Sequence, residues 1–584
     1  MGGLALALFA IAGYDAVGRK YYQGYAIPQG YGMDSLLPAE LAQIALFVTF
    51  GALAMLGLAA ALAGSRLMEE AVGVFRRVSR RVGAVAGLTA VWLFVASWGV
   101  SRYVLGHTVI TDDEHVYRFI AQTLRTGSLT APSPREDLAF FQEQFVVLDE
   151  HARYGKYPIG HPLLLALGQA VGAEGLVMPA VTALLALALL RLGRTLFGPE
   201  QTALALLLLA SSPQVILTGA TLLSQPTAAL CLVAGLAALF TAGRRRSAGL
   251  ALAGVLFGYG VLTRPLPGVL FVIVALLYLV ADRSPEEGIG ATARRVAAFL
   301  APIALFAAVF LAVNRLQAGH PFTTGYQTFH RTGEGAAGIA GAMGGDLATR
   351  TMSVMGSLIR LDVWLLGWPL SILFCLVPAH DLRVRALWGM AGAEIVYRLL
   401  SPKVGIGGVG PLYLFEVVPL LILLAGAGGV WLARRAGQPA GGWARPATVA
   451  ALCLAGVVVS AAMFLPPRLA DLRRMAAAQL VLPQMLRERG IERALVFHDG
   501  IVPPWIGRSW AYYPPCNSPG LDDAVLHLRM WKQPRAAYEL WRRRFPQRSA
   551  WWFGYRDGEP ELVDFESYVR NPQPSPADPG TERP

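Results

Sequence analysis

Residues 41–64 read LAQIALFVTFGALAMLGLAAALAG, an apolar run without a single charged side chain. A transmembrane helix needs about 20 consecutive apolar residues to cross a hydrocarbon layer roughly 30 Å thick. Within that layer every backbone N–H and C=O has to find its partner inside the segment, and a helix provides this. The stretch therefore predicts a membrane-spanning helix.

Apolar stretches of spanning length, or slightly shorter, recur along the chain. Their approximate bounds are 82–105, 176–197, 200–213, 222–241, 248–264, 266–282, 296–314, 351–378, 386–400, 412–433 and 447–465. The run 3–13 is brief, so it is a truncated first span, a signal-like segment or an interfacial helix. We predict an all-α polytopic membrane protein with about 12–13 transmembrane helices.

Composition supports a membrane protein and excludes a soluble enzyme. Of 584 residues, 55% are hydrophobic and 15% are charged, and the mean hydropathy is +0.48; soluble domains carry about 25% charged residues. The net charge of +12 is expected of basic cytoplasmic loops, so we do not predict a nucleic-acid partner. The four cysteines are far apart and form neither a disulfide framework nor a cysteine metal site.

Arginine clusters predict which loops are cytoplasmic, because short cytoplasmic loops are enriched in Lys and Arg. Clusters follow the 41–64 span, follow the 222–241 span and separate the last two spans: Arg66, Arg76, Arg77, Arg80, Arg81; Arg244, Arg245, Arg246; Arg434, Arg435, Arg445. Alternation then places 106–160, 315–350, 401–411 and everything after 466 on the outer side.

We predict four regions along the chain. Residues 1–81 form an N-terminal membrane extension, and 82–465 form the transmembrane core, which carries a first outer loop at 106–160. Residues 466–570 form a small outer α/β domain, with strands at 491–497 and 550–555 and helices at 469–489 and 533–546. Residues 571–584 are rich in proline and predicted to be disordered. The aromatic residues of the tail either build the core of this domain or stack on sugar rings.

The first outer loop opens with the acidic run Asp112, Asp113 and Glu114, followed by His115. Thr111 before them is a good N-cap, and acids are favourable at a helix N-terminus, so a purely structural role is one reading. A second reading is catalytic, because three neighbouring acids beside a membrane repel one another and need a compensating function. The two readings are compatible.

The same loop ends in Lys156-Tyr157-Pro158-Ile159-Gly160-His161-Pro162. Lysine is rare in this chain, and a compact ammonium is a common ligand of phosphate; the alternative is an ordinary lysine at a span end. A potential base and a potential anion site thus bracket one loop of about fifty residues.

Further candidate residues lie where other spans reach the outer side. Arg264 lies between two short spans, and an arginine inside the membrane is a functional candidate. Lys403 lies in a glycine-rich outer loop whose backbone could approach a phosphate. Tyr413 and Glu416 follow it, and a buried acid requires a partner or a polar cavity.

These motifs resemble those of membrane glycosyltransferases with the GT-C fold, in particular the branch of protein mannosyltransferases and aminoarabinose transferases, glycosyltransferase family 39 and its bacterial relatives. Asp113-Glu114-His115-Val116-Tyr117 matches the family's Asp-Glu-x-x-Tyr, and the run from Lys156 resembles its Lys-x-Pro motif. The stretches 192–198 and 410–416 resemble two further motifs, although Leu412 stands where the family usually has arginine. The resemblance covers about residues 80–465.

The resemblance implies a polyprenyl-phosphate sugar donor, an extracytoplasmic acceptor (lipid, glycan or protein) and a site on the periplasmic side of a bacterial inner membrane. We assign Asp113 as general base and Asp112 and Glu114 as residues that orient the acceptor. Candidate ligands of the donor phosphate are Lys156, Arg264, Lys403, Tyr157 and His161, and candidate cavity residues are His115, Tyr117, Tyr413 and Glu416. Direct displacement would invert the anomeric centre; were the acceptor itself a phosphate, Asp113 would only position it.

Two alternatives and one cofactor stay open on this evidence. Some GT-C enzymes use a divalent cation, so Asp112, Asp113 and Glu114 are also candidate ligands of Mg²⁺ or Mn²⁺. A transporter or flippase of lipid-linked saccharide would share the apolar body, but transporters usually carry internal repeats with polar groups at the midplane, and we find neither. A polysaccharide polymerase or ligase of related fold would differ mainly in its substrate.

Overall fold

The computed structural model describes residues 2–22, 38–242, 247–283, 288–331, 347–378, 381–400, 407–436, 446–499, 512–531, 533–556 and 559–571. It is predominantly helical, and each apolar stretch predicted as a span contains a helix. The helices are Gly2–Tyr22, Pro38–Ala63, Arg66–Ser79, Val82–Gly99, Asp112–Arg125, Gly160–Ala170, Glu174–Leu196, Pro199–Ser211, Pro213–Thr218, Gln225–Ala242, Ser247–Thr263, Pro265–Ala281, Ile289–Ala318, Gly325–Arg331, Leu347–Leu366, Leu382–Leu400, Val418–Ala436, Pro446–Val459, Leu465–Glu488, Pro534–Arg544 and Phe565–Arg570.

Seven helical stretches of the described residues are long and apolar enough to cross a membrane. They are Ala42–Ala63, Val82–Val104, Glu174–Leu196, Gln225–Ala242, Ile289–Ala318, Leu412–Arg435 and Pro446–Glu488. Shorter apolar helices are Gly2–Val17, Ser247–Thr263 and Pro265–Ala281. Together they confirm the predicted multi-pass membrane protein.

Three further predicted spans form helices that belong to neither group, for a physical reason. Pro199–Ser211 has 13 residues, too few for roughly 30 Å of hydrocarbon. Leu347–Leu366 carries Arg350, Arg360 and Asp362, and Leu382–Leu400 carries Glu394 and Arg398 among its charged residues. Such helices pair their charges inside the protein instead of presenting an apolar surface to lipid.

The chain divides into two compact units. The first comprises 1–100, 175–309 and 339–470, and the second comprises 101–174, 310–338 and 471–584. In the first unit, helices pack around buried apolar side chains, whereas Leu88, Val91, Trp92 and Val95 of the Val82–Gly99 helix stay exposed. Exposed apolar side chains of this kind are favourable against lipid tails.

The second unit contains two small sheets. In the first outer loop, Ala152–Gly155 lies between Ala131–Pro132 and Val146–Leu148, and both pairings are antiparallel. In the tail, the strand order is Val525–Arg529, Ala494–His498, Ser549–Arg556 and Glu559–Asp564. The first three of these strands are parallel and the last is antiparallel. The predicted α/β module at the C-terminus is therefore confirmed.

The hydrophobic core of the tail includes residues of the first outer loop. Phe140 and Phe141 belong to the same buried cluster as Phe497, Trp552 and Phe565. Trp531 Nε1 also donates a hydrogen bond to the carbonyl of Ala139. Loop and tail thus fold together, and the tail aromatics in this cluster build a core, as one of the two readings of the sequence expected. Trp505 and Trp510 lie outside the described residues.

Candidate active site

The acidic run begins the helix Asp112–Arg125, as the N-cap reading predicted. Thr111 has extended backbone angles, and its Oγ1 accepts a hydrogen bond from the backbone N–H of Glu114 (3.3 Å). Glu114 is buried, and its Oε1 accepts from the Thr111 hydroxyl (3.1 Å) and the Ile110 backbone N–H (3.3 Å). This reciprocal arrangement resembles a capping box, except that Glu114 accepts from the backbone N–H one residue before the N-cap. It directs the Glu114 carboxylate back to the helix start.

Asp112 and Asp113 are both half-buried and have different partners. Tyr157 donates its hydroxyl to Asp113 Oδ1. Asp112 Oδ1 accepts from the Asp113 backbone N–H (3.0 Å), and the Gln144 side chain also bonds to Asp112. Burial, and next the charge of Asp113, raises the pKa of Asp112 to about 7, against the opposing effect of Lys156. Near neutral pH, Asp112 therefore exchanges a proton easily.

Tyr157 is a proton donor to the acid pair and not an acid itself. Burial raises its pKa well above the usual value for tyrosine, and the neighbouring charge of Asp113 adds to this effect. Its ring packs against Tyr117 with centroids 4.7 Å apart and against Tyr326 at 5.4 Å. The hydroxyl therefore stays protonated and fixed on Asp113.

Lys156 is buried in an aromatic enclosure. Its ammonium Nζ lies 3.0 Å from the ring centroid of Phe145, and 5.0 Å, 5.5 Å and 5.3 Å from those of Tyr157, Tyr326 and Phe329. Such ring faces favour a cation electrostatically. The ammonium also lies close enough to Asp112 to lower its pKa. The structure thus brings the predicted cation and the predicted acids together.

Two glycines allow this close packing. A Cβ on Gly155 would lie 2.6 Å from the side chain of Ile120, so only glycine lets the strand before Lys156 run against the acidic helix. A Cβ on Gly325 would lie 2.8 Å from the Lys156 backbone, and Gly325 begins the helix that carries Tyr326 and Phe329. Neither glycine was singled out in the sequence, since the need for it arises only from the tertiary contact.

The remaining predicted residues of this loop pack around the same site. Tyr117 is buried, and its ring meets His161 edge to face at 5.0 Å. His161 is fully buried in the helix Gly160–Ala170, so its position is one of packing. Burial and the charge of Arg118 lower the pKa of His115 to about 3, which keeps this imidazole neutral.

The first compact unit holds the other predicted residues as a buried charge cluster. Arg264 forms an ion pair with Glu416, which is fully buried. Arg398 forms a second pair with Glu394, with Nε 3.1 Å from Oε1. The ring of Tyr413 lies near both guanidinium groups, 5.9 Å from Arg264 and 4.8 Å from Arg398. Glu416 thus has the partner that a membrane acid requires. Lys403 lies outside the described residues.

The acidic run does not fit a three-carboxylate metal site. Among the described residues, no group of three or more His, Cys, Asp or Glu side chains is arranged to hold a metal ion. Glu114 points to the helix start, and one oxygen of Asp113 accepts from Tyr157. Mg²⁺ prefers several oxygen ligands in octahedral geometry, which these three side chains do not offer together.

Residues 156–312 match the family model of dolichyl-phosphate-mannose-protein mannosyltransferases. The match begins at Lys156 and includes Arg264. No curated protein matches the chain.

Solved structures to which this chain is similar include ArnT from Cupriavidus metallidurans bound to undecaprenyl phosphate, with 15% identity and a TM-score of 0.46, covering 83% of this chain and 99% of that chain. The apo state of ArnT gives 16% identity and a TM-score of 0.48 at the same coverage. The apo oligosaccharyltransferase of Archaeoglobus fulgidus has 12% identity and a TM-score of 0.42, and the match covers 71% of this chain and 62% of that chain.

The family match lies within the region where the motifs were found, and the described residues form the helical membrane core that those motifs imply. Both agree with the resemblance drawn from the sequence: residues 156–312 are similar to the mannosyltransferase family, and the chain is a multi-pass membrane protein.

Proposed function

We propose that this protein transfers a sugar from a polyprenyl-phosphate donor to a hydroxyl of an extracytoplasmic acceptor, with inversion at the anomeric carbon. One observation carries the proposal: Tyr157 donates to Asp113, while Lys156, its neighbour in sequence, acts electrostatically on Asp112. A base and a phosphate-binding cation within one small site are what displacement of a lipid phosphate needs.

On the donor side, Lys156 stabilises the charge that develops on the phosphate as the sugar leaves. An ammonium has three N–H donors, the chemistry by which lysine binds phosphate oxygens. Charge-assisted hydrogen bonds are strongest where water is scarce, and Lys156 is 7% exposed. Arg264 and Lys403 remain proposed phosphate ligands; the matched family, named for a dolichyl-phosphate donor, supports a lipid phosphate here.

On the acceptor side, Asp113 removes the proton of the attacking hydroxyl with the oxygen that Tyr157 does not engage. The acceptor oxygen forms a bond to the anomeric carbon, the bond from that carbon to the phosphate oxygen breaks, and polyprenyl phosphate leaves. Asp112 orients the acceptor by hydrogen bonding, since its pKa of about 7 makes both of its protonation states accessible. Attack opposite the leaving phosphate inverts the configuration.

The decisive experiment uses cells that lack this chain, with mass spectrometry of their lipid-linked sugars and envelope glycans. We expect one polyprenyl-phosphate sugar to accumulate and one glycan modification to disappear. The wild type should reverse both changes, whereas Asp113→Asn and Lys156→Ala should not. Glu150→Gln is the matched control, because Glu150 is an exposed carboxylate of the same loop, and it should restore both.

The same experiment separates the competing functions. Full restoration by Asp113→Asn at wild-type expression would refute the assigned base. If the lipid-linked sugar instead stays on the cytoplasmic leaflet in cells without the chain, and Asp113→Asn moves it across, the protein is a transporter.

A further inference from the structure

Three consecutive residues of the first outer loop point to three different parts of the molecule. Gln144 bonds to Asp112, and the Phe145 ring lies under the Lys156 ammonium. Glu143 is buried at 4% exposure and faces the tail. Its Oε1 accepts from the backbone N–H of Asn517 (2.7 Å) and from Asn517 Nδ2 (2.8 Å). The segment 143–145 thus links the tail to Asp112 and Lys156 of the proposed site.

Asn517 is itself held rigidly within the tail. Its Oδ1 accepts from the backbone N–H of His527 (2.8 Å), and its Nδ2 donates to the His527 carbonyl (2.9 Å). Asn517 is 1% exposed, and His527 lies in the strand Val525–Arg529 of the tail sheet. Because Asn517 is hydrogen-bonded both to His527 of the sheet and to Glu143, it fixes the position of Glu143 relative to the sheet.

A second contact joins the same two segments. Arg153 is fully buried, its Nη2 donates to the carbonyl of Ser518 (2.6 Å), and its Nη1 lies 3.6 Å from Glu143 Oε1. Burial raises the pKa of Glu143, and Arg153, Asn517 and Arg529 act against this. Buried charges are tolerated when paired and hydrogen-bonded, so removing one partner weakens the whole junction.

The linked segment holds a strained backbone. Phe145 has a φ of +61°, in the left-handed region that bulky residues avoid. Its carbonyl accepts a hydrogen bond from the Lys156 backbone N–H (2.9 Å). Such conformations persist only where the surroundings impose them, and they cluster at functional sites. The contacts of Glu143 with the tail supply such a constraint two residues away.

We propose that Asn517 of the C-terminal module is a positioning residue: by clamping Glu143 it holds segment 143–145 so that Gln144 meets Asp112 and Phe145 lies under Lys156. The inference rests on the proposed function, and it gives the tail a role in it. Through this clamp the tail contributes to the geometry of the phosphate-binding site.

The test uses the full-length protein in detergent, with undecaprenyl phosphate as the probe and native mass spectrometry to measure its affinity. Asn517→Asp keeps the acceptor for the His527 N–H. It removes the two hydrogen bonds that Nδ2 donates, to Glu143 Oε1 and to the His527 carbonyl, and places an oxygen opposite Glu143. We expect about tenfold weaker binding of the probe, the cost of disturbing one hydrogen bond to a charged group, and faster hydrogen–deuterium exchange across 143–157. In the double variant Glu143→Gln/Asn517→Asp, the amide of residue 143 can donate to the carboxylate of residue 517. This variant should recover part of the lost probe affinity and part of the lost protection from exchange at 143–157.

Tyr555→Phe is the matched control. The Tyr555 hydroxyl accepts a buried hydrogen bond from the Tyr512 backbone N–H (2.9 Å) inside the tail, away from segment 143–145. It should lower the unfolding temperature to a similar extent and leave probe affinity and exchange at 143–157 unchanged.

Two outcomes overturn the inference. One is unchanged affinity and exchange in Asn517→Asp; the other is an equal loss of affinity in Tyr555→Phe, which would make the effect one of general stability. Lys156→Ala tests the underlying function separately. If it binds the probe like the wild type, the proposed phosphate site fails; if it loses binding while Asn517→Asp does not, only the positioning role fails.

Discussion

Replacing Tyr157 with phenylalanine isolates one hydrogen bond of the proposed catalytic pair. The ring contacts with Tyr117, Phe145 and Tyr326 remain available to phenylalanine, and only the hydroxyl that donates to Asp113 is removed. Hydrogen bonds to charged groups contribute about 1.5–3 kcal/mol. Because about 1.4 kcal/mol corresponds to a factor of ten, we expect Tyr157→Phe to lower the transfer rate by roughly 10- to 100-fold.

The assay measures initial rates of sugar transfer in membrane vesicles, with the lipid-linked sugar that accumulates in cells lacking the chain as donor. Tyr154→Phe is the matched control. Tyr154 is also buried, lies three residues away and hydrogen-bonds to Thr328, not to the acid pair. It should transfer at close to the wild-type rate when the two variants are expressed equally.

A wild-type rate in Tyr157→Phe would contradict the assigned geometry, because the bond to Asp113 would then contribute nothing to the reaction. A large and equal loss in both would indicate that the loop tolerates no change in its buried hydroxyls. Only a loss specific to Tyr157→Phe supports the assigned geometry.

Three further perturbations test other parts of the structure. In the folded state the pKa of Asp112 is raised to about 7 from 3.8, so the neutral form that stabilises the fold is lost as the pH rises through 7. Asp112→Asn does not lose this stabilisation. Thermal unfolding should therefore show that its free energy of unfolding, relative to that of the wild type, is higher at pH 8 than at pH 5.5 by up to about 2 kcal/mol. The pKa of His527 is lowered to about 3 from 6.5, so its contribution to stability is present above pH 6.5 and is lost as the pH falls towards 3. Chemical unfolding should therefore give a free energy of unfolding that is about 2 kcal/mol lower at pH 5 than at pH 7.5 because of this residue. His527→Gln should reduce that difference. Arg264→Leu leaves buried Glu416 without its ion-pair partner and should lower the thermal stability by about 3–5 kcal/mol. The double variant Arg264→Leu/Glu416→Leu removes both charges and should recover much of this loss. If the double variant is as unstable as the single one, loss of the ion pair is not the cause.

What could be predicted from the sequence was set by local physics. Lipid forces apolar runs into helices, so the runs alone located the spans. Thr111 followed by Glu114 three residues later is a local capping signal, and the helix Asp112–Arg125 begins where it indicates. The environment of the helix Leu382–Leu400 was harder to predict. Its residues are largely apolar, yet it also carries Glu394 and Arg398, which pair with each other inside the protein.

What the sequence did not reveal depends on contacts between distant residues. Glu143 and Asn517 are 374 positions apart, and neither lies in a recognisable motif. Gln144 and Phe145 follow no periodicity, and the φ of +61° at Phe145 arises from tertiary constraint, which no local propensity reports. His161 lies in the Lys156 motif, and the structure adds that it is fully buried with its ring against Tyr117; its role as a phosphate ligand stays a prediction.

The arrangement around the acid pair explains why such distant segments have to meet. Two adjacent carboxylates repel each other, and identical surroundings would give them the same role. Here Tyr157 donates to Asp113, while Gln144 and Lys156 act on Asp112, so the two acids are placed in different environments. Environments of this kind are how two like acids take different parts in one reaction. The segment that carries Gln144 is anchored to the tail through Glu143. On this proposal the different environments of the two acids require the C-terminal module, and the loop alone does not form the complete site.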